Sequence, residues 1–310
     1  MIQKLQNQVR TIRKFNRYYT NILGLLDQHI LESGLSLSEV RALHEIDKTQ
    51  NCTSKMLSDI LCINAGYLSR ILKRFENMGL LEKEPSTSDG RVIYLKLTKK
   101  GKEKINILNK SSDEQIANMI KTLSDTHKER LVQNMTSIET ILTDGKEIKN
   151  TDISIRTEIK AGDAGYITFL HGLIYKEEYN YSPSFEAYVA ESFFKLLLNY
   201  NPQKDRLWCA EHNGQIIGCI GIVGHEEKAQ LRWFLIDPLY RGIGLGKKLL
   251  TSALEFAKER GYKSIYLDTS NDLEKAMGLY KKFGFKKVSE KPNNSWREGL
   301  VEIEFAMDLD

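Results

Sequence analysis

The chain has 310 residues, with 45 Lys and Arg against 41 Asp and Glu, and this length is enough for two domains with separate cores. Residues 1–150 carry a net charge of +6 and residues 151–310 a net charge of −2, so the first half is the candidate for binding a polyanion. The charged N-terminus and the absence of any long apolar stretch exclude a secretion signal and a membrane span, and we expect a cytoplasmic protein with no membrane partner. Its four cysteines and six histidines show no metal-binding spacing, so we expect no metal.

The first predicted element is a long amphipathic helix. Apolar residues recur at helical spacing from Ile2 to Ile30, a length of about 45 Å at a rise of about 1.5 Å per residue. A helix of this length needs a partner, and the periodic segments 105–123 and 131–142 are candidates. Long helices on both sides of a compact middle favour an intertwined homodimer.

The middle of the first half predicts three short helices and a β-hairpin. The N-caps are expected at Ser36 or Ser38, at Thr53 or Ser54, and at Asn64. Three capped helices in this order indicate a helix-turn-helix, and Gly79 suits the position just after the third helix. The strands LLEKEP and VIYLKLT, joined by the polar loop STSDGR, then predict a wing.

Residues 65–101 resemble the recognition helix and wing of MarR-type regulators, including Asp-x-Arg in the loop and L-T-x-x-G after the second strand. The resemblance implies binding to double-stranded DNA, with the wing arginine in the minor groove and the neighbouring aspartate fixing the wing. Arginines of the third helix are suited to guanine edges and its lysine to phosphates. The candidate DNA-binding residues are Asn64, Tyr67, Ser69, Arg70, Lys73, Arg74, Asp89 and Arg91. The alternative is a solvated helix face that binds nothing.

The second half contains a glycine-rich turn between an apolar strand, QLRWFLIDP, and an amphipathic helix. Gly242, Gly244 and Gly246 let the backbone approach an anion, and the free N–H groups at the helix start add donors and a partial positive charge. This arrangement predicts a ligand that carries a pyrophosphate. The spacing matches neither the dinucleotide fingerprint nor the P-loop.

The pattern from Arg241 to Gly246, arginine followed by x-x-Gly-x-Gly, resembles the acetyl-coenzyme A signature of the GNAT acetyltransferases. The resemblance implies acetyl-coenzyme A as co-substrate, an amine acceptor, and two central strands that splay so that the first pairs with pantetheine. It also implies that Tyr280 donates a proton to the departing thiolate, the alternative being a packed helix aromatic. The candidate cofactor-binding residues are Leu235, Ile236, Arg241, Gly242, Ile243, Gly244, Leu245, Gly246, Lys247 and Asn271.

Gln230 departs from the GNAT pattern. Many relatives place a glutamate near the start of this strand, where it deprotonates the amine through water, and a glutamine cannot accept that proton. Glu226, Glu227 or a residue of the preceding helices are the replacements that the sequence offers. The candidates for the amine pocket are His171, Tyr175 and Glu178 or Tyr179, at helical spacing on one predicted helix. His171 is alternatively a structural histidine, and a polar face in water is the other interpretation of this helix.

These patterns predict a two-domain protein, a mainly α winged helix-turn-helix followed by an α/β (α+β) GNAT fold. We expect DNA binding and dimerisation in residues 1–145, acetyl transfer in residues 153–310, and a short polar linker between them. The tail around Trp296 also resembles known fusions of the two families. The leading hypothesis is a DNA-binding regulator that acetylates a small-molecule amine or a lysine. The alternatives are a regulator that senses acetyl-coenzyme A or an amine without turnover, and an enzyme for which the winged helix is only a dimer scaffold.

Overall fold

The computed structural model describes residues 2–24, 33–87, 89–143, 145–146 and 148–309. Contacts divide the chain into two units, Met1–Ser124 and Asp125–Asp310. The predicted first domain extends to residue 145, whereas this division assigns the chain from Asp125 onward to the second unit; Ser137 Oγ, for example, donates to Gln215 Oε1 over 3.1 Å. The domain limits at residues 145 and 153 stay predictions. Within the described ranges no helix has both the length and the apolar character needed to cross a membrane.

The first unit has the element order that the sequence predicts for a winged helix-turn-helix. Its elements are α1 (Ile2–Ile22), α2 (Leu37–Lys48), α3 (Ser54–Leu61), α4 (Ala65–Asn77), β1 (Leu81–Pro85), β2 (Ile93–Leu97) and α5 (Lys99–Ile120). The side chains of Ser36, Thr53 and Asn64 each accept a hydrogen bond from a backbone N–H three residues ahead, which confirms one of the predicted N-caps for each helix. Gly79 follows α4 with a φ of 68°, in the left-handed region that favours glycine.

α1 exposes the apolar stripe that the sequence predicts. Leu5, Ile12 and Phe15 remain 62%, 59% and 45% exposed, and an apolar stripe of this kind is expected to be covered in a stable protein. The described helix ends at Ile22, whereas the last two positions of the predicted stripe, Leu26 and Ile30, lie outside the described residues. The homodimer stays a prediction.

The second unit is an α/β structure built on one mixed sheet. Its helices are α6 (Asp125–Leu142), α7 (Asp163–Tyr179), α8 (Pro183–Asn199), α9 (Leu245–Glu259) and α10 (Glu274–Lys282). Its strands are β3 (Ser154–Arg156), β4 (Arg206–His212), β5 (Gln215–His225), β6 (Lys228–Ile236), β7 (Ser264–Ser270), β8 (Lys286–Pro292) and β9 (Val301–Asp308). The spatial order is β3-β4-β5-β6-β7-β9-β8, with β6 and β7 parallel and the other pairs antiparallel. These two units confirm the predicted fold class.

Two apolar clusters cover the sheet of the second unit. Leu249 and Ala253 of α9 pack with Ile265 of β7 in one cluster. Phe193 of α8 packs with Trp233 of β6 in the other, their rings 4.1 Å apart. Since successive side chains of a strand point to opposite faces, the sheet is buried by α9 on one side and by α7 and α8 on the other.

β6 and β7 are paired only at their first residues, from Lys228 opposite Ser264 to Gln230 opposite Tyr266. Beyond Gln230 the two strands separate, which confirms the predicted splay. β6 also carries a bulge against β5, because Cys219 pairs with Leu235 whereas Gly221 pairs with Arg232. Two residues of β6 therefore face one residue of β5, and a bulged strand bends.

Candidate functional site

The gap between the separated strands is part of a cavity of about 870 Å³, within the size range of small-molecule sites. Basic side chains enter it from the glycine turn and from α9 and α10, namely Arg241, Lys247, Lys275 and Lys282. Aromatic side chains enter it mainly from α7, α8 and the segments that follow α7 and precede β9; they include Tyr175, Tyr179, Tyr181, Phe185, Tyr188 and Trp296. The cavity thus combines cations suited to phosphates with an aromatic wall suited to a second ligand. The described residues include no cluster of His, Cys, Asp and Glu that would hold a metal ion.

The glycine turn places the start of α9 on this cavity. Gly242 and Gly244 have φ values of 84° and 86°, which a residue with a Cβ rarely adopts. Gly244 is the N-cap of α9 and supplies no side-chain cap, so the first N–H groups of the helix are left for a ligand. Gly246 also lines the cavity, and a Cβ added there would lie 3.1 Å from Ile236 Cδ1.

Most of the predicted cofactor residues line this cavity. They are Leu235, Ile236, Arg241, Gly242, Gly244, Leu245, Gly246 and Lys247. Ile243 and Asn271 do not line it: the Ile243 carbonyl accepts a hydrogen bond from Asn150 Nδ2 over 3.1 Å, and Asn271 Oδ1 accepts one from Val301 N over 3.1 Å. Both residues hold the chain around the cavity, and a role for them in binding stays a prediction. Asn150 was expected in a linker, but it lies in a 3-10 turn and is bonded to the glycine turn.

Arg241 is held by the protein itself. Its Nη1 lies 2.8 and 2.9 Å from the two carboxylate oxygens of Glu178, and its Nε donates to the Ile236 carbonyl over 3.0 Å. Glu178, a candidate for the amine pocket, therefore lies at the glycine turn and is not among the cavity-lining residues. Glu178 is therefore better placed to orient Arg241 than to contact an amine. A role for Glu178 in substrate binding stays a prediction.

Tyr280 lies in the wall of the cavity and is only 5% exposed. Its ring packs among Phe234, Phe285 and Phe305 at centroid distances of 6.1, 5.9 and 6.4 Å. Burial raises the pKa of Tyr280 above its usual value, and the neighbouring Tyr175 raises it further. The phenol is therefore protonated at neutral pH and can donate a proton.

His171 is buried in α7, where its Nδ1 lies 2.8 Å from the Ile167 carbonyl. Because the carbonyl can only accept, this nitrogen carries the proton. Burial lowers the pKa of His171 to about 4, an effect that the hydrogen bond to Ile167 partly offsets. Its ring stacks on Tyr175 at 5.9 Å, and both residues line the cavity. This environment fits a structural histidine, the alternative that the sequence left open.

Gln230 lies at the point where the strands separate, and its side chain is part of a polar chain. Its Nε2 donates to Asp268 Oδ2 over 3.1 Å, and its Oε1 accepts from Arg232 Nη1 over 3.4 Å. Arg232 Nη2 in turn donates to Tyr188 Oη over 3.0 Å. All of these residues line the cavity.

The carboxylates that the sequence offered in place of the missing glutamate lie elsewhere. Glu226 and Glu227 are in the turn between β5 and β6, where Glu227 pairs with Lys263, and neither lines the cavity. Asp268, which is 38 positions after Gln230, is not among the residues that the sequence indicates. Along β7, Asp268 alternates with the buried Leu267 and Thr269, which indicates that it lies on the more open face of the strand. Only the pairing of β6 with β7 shows that Gln230 lies on the same face and next to it.

In the first unit, α4 exposes Ser69, Arg70 and Lys73, as the sequence predicts for a recognition helix. Arg74 is engaged within the unit, because its Nη1 lies 2.6 Å from Glu39 Oε1 and its Nη2 donates to the Gly34 carbonyl. A DNA contact by Arg74 stays a prediction, but the ion pair with the buried Glu39 already gives this residue a structural role.

Asn64 and the wing residues have local structural roles as well. Asn64 Oδ1 accepts from the Tyr67 N–H over 2.8 Å at the start of α4, and Tyr67 is half-buried. Asp89 Oδ1 accepts from the Arg91 N–H over 3.0 Å, a contact that fixes the wing loop and leaves the Arg91 side chain exposed. This is the arrangement expected of the Asp-x-Arg pair.

Two family models match the chain in separate places. The model of the MarR family matches residues 35–93, and that of the acetyltransferase (GNAT) family matches residues 173–285. The chain is a fusion of a MarR region and a GNAT region. Each match lies within one of the two units, so the winged helix belongs to the MarR region and the mixed sheet to the GNAT region.

The GNAT region is similar to curated acetyltransferases. It is 36% identical to N-acetyltransferase 8B of Homo sapiens over 102 residues, which cover 31% of this chain and 44% of that protein. It is 37% identical over 93 residues to the protein named Uncharacterized N-acetyltransferase YjgM of Escherichia coli, covering 29% of this chain and 56% of that protein. The chain thus spans about half the length of these curated relatives. A GNAT-family acetyltransferase structure from Staphylococcus aureus Mu50 aligns with 51% of this chain and 99% of its own at 21% identity and a TM-score of 0.43.

Proposed function

We propose that the GNAT region transfers the acetyl group of acetyl-coenzyme A to an amine, and that the MarR region binds duplex DNA as a homodimer. The observation that carries the first part is the cavity between β6 and β7. It is bordered by an uncapped helix start and contains a protonated phenol, Tyr280. The curated relatives are named as N-acetyltransferases, which supports the same activity.

The residues present fit acetyl-coenzyme A. The uncapped N–H groups of α9 and the nearby Lys247 are donors for the pyrophosphate. Beyond Gln230, β6 has no strand partner on the side of β7, which suits pairing with amide groups of pantetheine near Leu235 and Ile236, although the Ile236 carbonyl already accepts from Arg241 Nε. When bound, the molecule supplies a thioester as acyl donor. Tyr280 is then the group that donates a proton to the leaving sulfur, since burial keeps its phenol neutral.

The MarR region offers exposed cations in a geometry that suits DNA. Arg70 and Lys73 are exposed along α4, and Arg91 is exposed on the wing. A helix flanked by a wing is suited to a major groove and the adjacent minor groove, and an exposed apolar stripe on α1 is suited to a second copy of the chain. Because duplex DNA is the proposed partner, we expect the protein in the cytoplasm. The acceptor is a small-molecule amine or a lysine in this proposal.

A non-catalytic sensor of acetyl-coenzyme A or of an amine is the second candidate. Gln230 favours it, because a glutamine at the strand separation cannot accept the proton that an ammonium must lose. An enzyme and a sensor differ in turnover, since both would bind acetyl-coenzyme A.

Three assays on the full chain test the proposal. Calorimetry with acetyl-coenzyme A measures binding, and thiol release across a panel of alkyl amines measures turnover. Binding with amine-dependent thiol release supports the enzyme, whereas binding without release for any amine supports the sensor. Fluorescence anisotropy with duplex DNA over a range of salt concentrations tests the MarR region, and a loss of affinity with rising salt is expected. No detectable binding at any salt concentration would rule out DNA as a partner of the MarR region.

A further inference from the structure

An alkyl amine that enters the cavity must lose a proton before it can attack a thioester. Alkyl amines such as a lysine side chain have a pKa of about 10, so they are protonated at neutral pH, and only the neutral nitrogen has a free electron pair. A GNAT region with glutamine at position 230 therefore needs another proton acceptor that lines the same cavity.

Two carboxylates of the described residues line the cavity, Asp268 and Glu302. Glu302 is already engaged, because its Oε2 lies 3.4 Å from Lys291 Nζ and 3.3 Å from Asn293 Nδ2, and its side chain is only 13% exposed. The Asp268 side chain has no ion pair among the described residues, and its one hydrogen bond there is from the neutral amide of Gln230. Asp268 is therefore the carboxylate that is free to take a proton.

The amide of Gln230 fixes the orientation of Asp268. Because Arg232 donates to Gln230 Oε1, the NH₂ side of the amide must face Asp268 Oδ2. A reversed amide would set an oxygen against the carboxylate and an NH₂ against the guanidinium. The bond holds Oδ2, and Oδ1 has no hydrogen-bond partner among the described residues.

Asp268 also lies at the right place along the strands. The last paired residues of β6 and β7 are Gln230 and Tyr266, and Asp268 is the next residue of β7 on the same face, because side chains alternate. It therefore borders the gap at the point where the strands begin to separate, in the same cavity as Tyr280.

We infer that Asp268 is the proton acceptor for the amine and that Gln230 is its positioning residue, an inference that rests on the proposed acetyl transfer. One proton passes from the ammonium nitrogen to Asp268, directly or through one water, and leaves a neutral amine. The amine nitrogen then forms a C–N bond to the acetyl carbon, and the C–S bond breaks. The sulfur takes its proton from Tyr280, the second proton of the nitrogen restores the phenol, and Asp268 returns its proton to solvent.

The test measures thiol release by the full chain with acetyl-coenzyme A and an alkyl amine between pH 6 and 9.5. Asp268→Asn keeps the size and the bond to Gln230 but cannot take a proton, so turnover at pH 7 is expected to fall by about 10². The deficit is expected to shrink by about tenfold per pH unit as the free-amine fraction rises toward the pKa of the amine. Acetyl-coenzyme A affinity and melting temperature are expected to stay unchanged.

Two further variants are measured in the same thiol-release assay. Gln230→Glu combined with Asp268→Asn exchanges the amide and the carboxylate, and it is expected to recover at least about tenfold of the lost rate. Glu226→Gln is the control, because Glu226 is a carboxylate in the turn before β6 that does not line the cavity, and it is expected to turn over like the wild type.

Three results would overturn the inference. They are wild-type turnover in Asp268→Asn, a loss that is the same at every pH, and an exchange variant that recovers nothing although it is folded. A wild-type protein that binds acetyl-coenzyme A but releases no thiol with any amine would overturn the proposed function itself. That result appears without any variant, so the two failures are distinguishable.

Discussion

Gly221 of β5 lies against the indole of Trp233 on β6, so closely that a Cβ at position 221 would lie 2.6 Å from Trp233 Cε3. Trp233 has a φ of 50°, which is unusual for a residue with a side chain. Its carbonyl accepts a hydrogen bond from Cys219 Sγ over 2.9 Å, and its Nε1 donates to Ser192 over 2.8 Å. The glycine thus makes room for the bulge of the strand that borders the cavity.

Gly221→Ala is expected to destabilise the second unit by about 1–3 kcal/mol, because the added methyl group overpacks a rigid ring. Acetyl-coenzyme A affinity is expected to fall with it. All three tryptophans of the chain lie in the second unit, so urea unfolding followed by tryptophan fluorescence measures this unit alone. Gly165→Ala is the matched control: a Cβ there meets nothing within 4 Å in α7, and a gain of up to about 1 kcal/mol is expected. A neutral Gly221→Ala would show that the bulge does not depend on this glycine.

Gly246→Glu is expected to weaken acetyl-coenzyme A binding by about tenfold or more, a loss of about 1.4 kcal/mol. The change puts bulk 3.1 Å from Ile236 and a negative charge at the helix start that is proposed to bind phosphate. Calorimetry on the folded variant measures the affinity. Gly165→Glu makes the same change at an exposed position outside the cavity and is expected to bind like the wild type. Equal affinities for the two variants would rule out the glycine turn as the phosphate site.

The stability of the second unit is expected to fall in mild acid because of His171. Its pKa is about 4 in the folded protein against 6.5 for the free side chain, so the unfolded chain takes up a proton that the folded chain does not. This contribution is present above pH 6.5 and is lost as the pH falls toward 4, by about 2 kcal/mol between pH 7 and pH 5.

The measurement is urea unfolding at pH 7 and pH 5 for the wild type and for His171→Phe. The phenylalanine keeps a ring against Tyr175 and Phe185 but cannot be protonated, so the difference between the two pH values is expected to shrink. His225→Phe, at an exposed histidine of the same unit, is expected to keep the wild-type difference. An unchanged difference in His171→Phe would assign the acid sensitivity to other groups.

Substitutions of Arg70 and Arg74 are expected to have different effects, the first on DNA binding and the second on the stability of the first unit. Arg70 is exposed on α4 and has no ion pair among the described residues, so Arg70→Ala is expected to cost about 1–3 kcal/mol of binding to a selected duplex and little stability. Arg74→Ala removes the partner of the buried Glu39 and is expected to lower the melting temperature of the first unit. Anisotropy and thermal unfolding on both variants are the measurements. Equal DNA affinity for Arg70→Ala and the wild type would remove α4 as the base-reading element.

The sequence predicted those parts of the site that depend on neighbours along the chain. The turn at residues 241–246, the helix after it and the caps of α2, α3 and α4 are local, because each depends on residues three or four positions apart. The separation of β6 and β7 was expected only from the resemblance to the GNAT family.

The missed features join residues that are distant in sequence. Glu39 and Arg74 are 35 positions apart, Gln230 and Asp268 are 38 apart, and Glu178 and Arg241 are 63 apart. Charge and periodicity indicate that each side chain is polar and on an open face, but they do not indicate its partner. The sequence therefore indicates a DNA contact for Arg74 and an amine contact for Glu178, whereas in the structure each of them forms an ion pair within the chain.

The measurement that tests acetyl transfer most directly is amine-dependent thiol release by the wild type beside Tyr280→Phe, with acetyl-coenzyme A affinity measured in parallel. The phenylalanine keeps the ring among Phe234, Phe285 and Phe305, so affinity is expected to hold while turnover falls by about 10², the scale of a general acid. Tyr200→Phe, outside the cavity in the same unit, is the control and is expected to turn over like the wild type. Equal rates for Tyr280→Phe and the wild type on a true acceptor would contradict the role of Tyr280, and no thiol release by the wild type with any amine would contradict acetyl transfer itself.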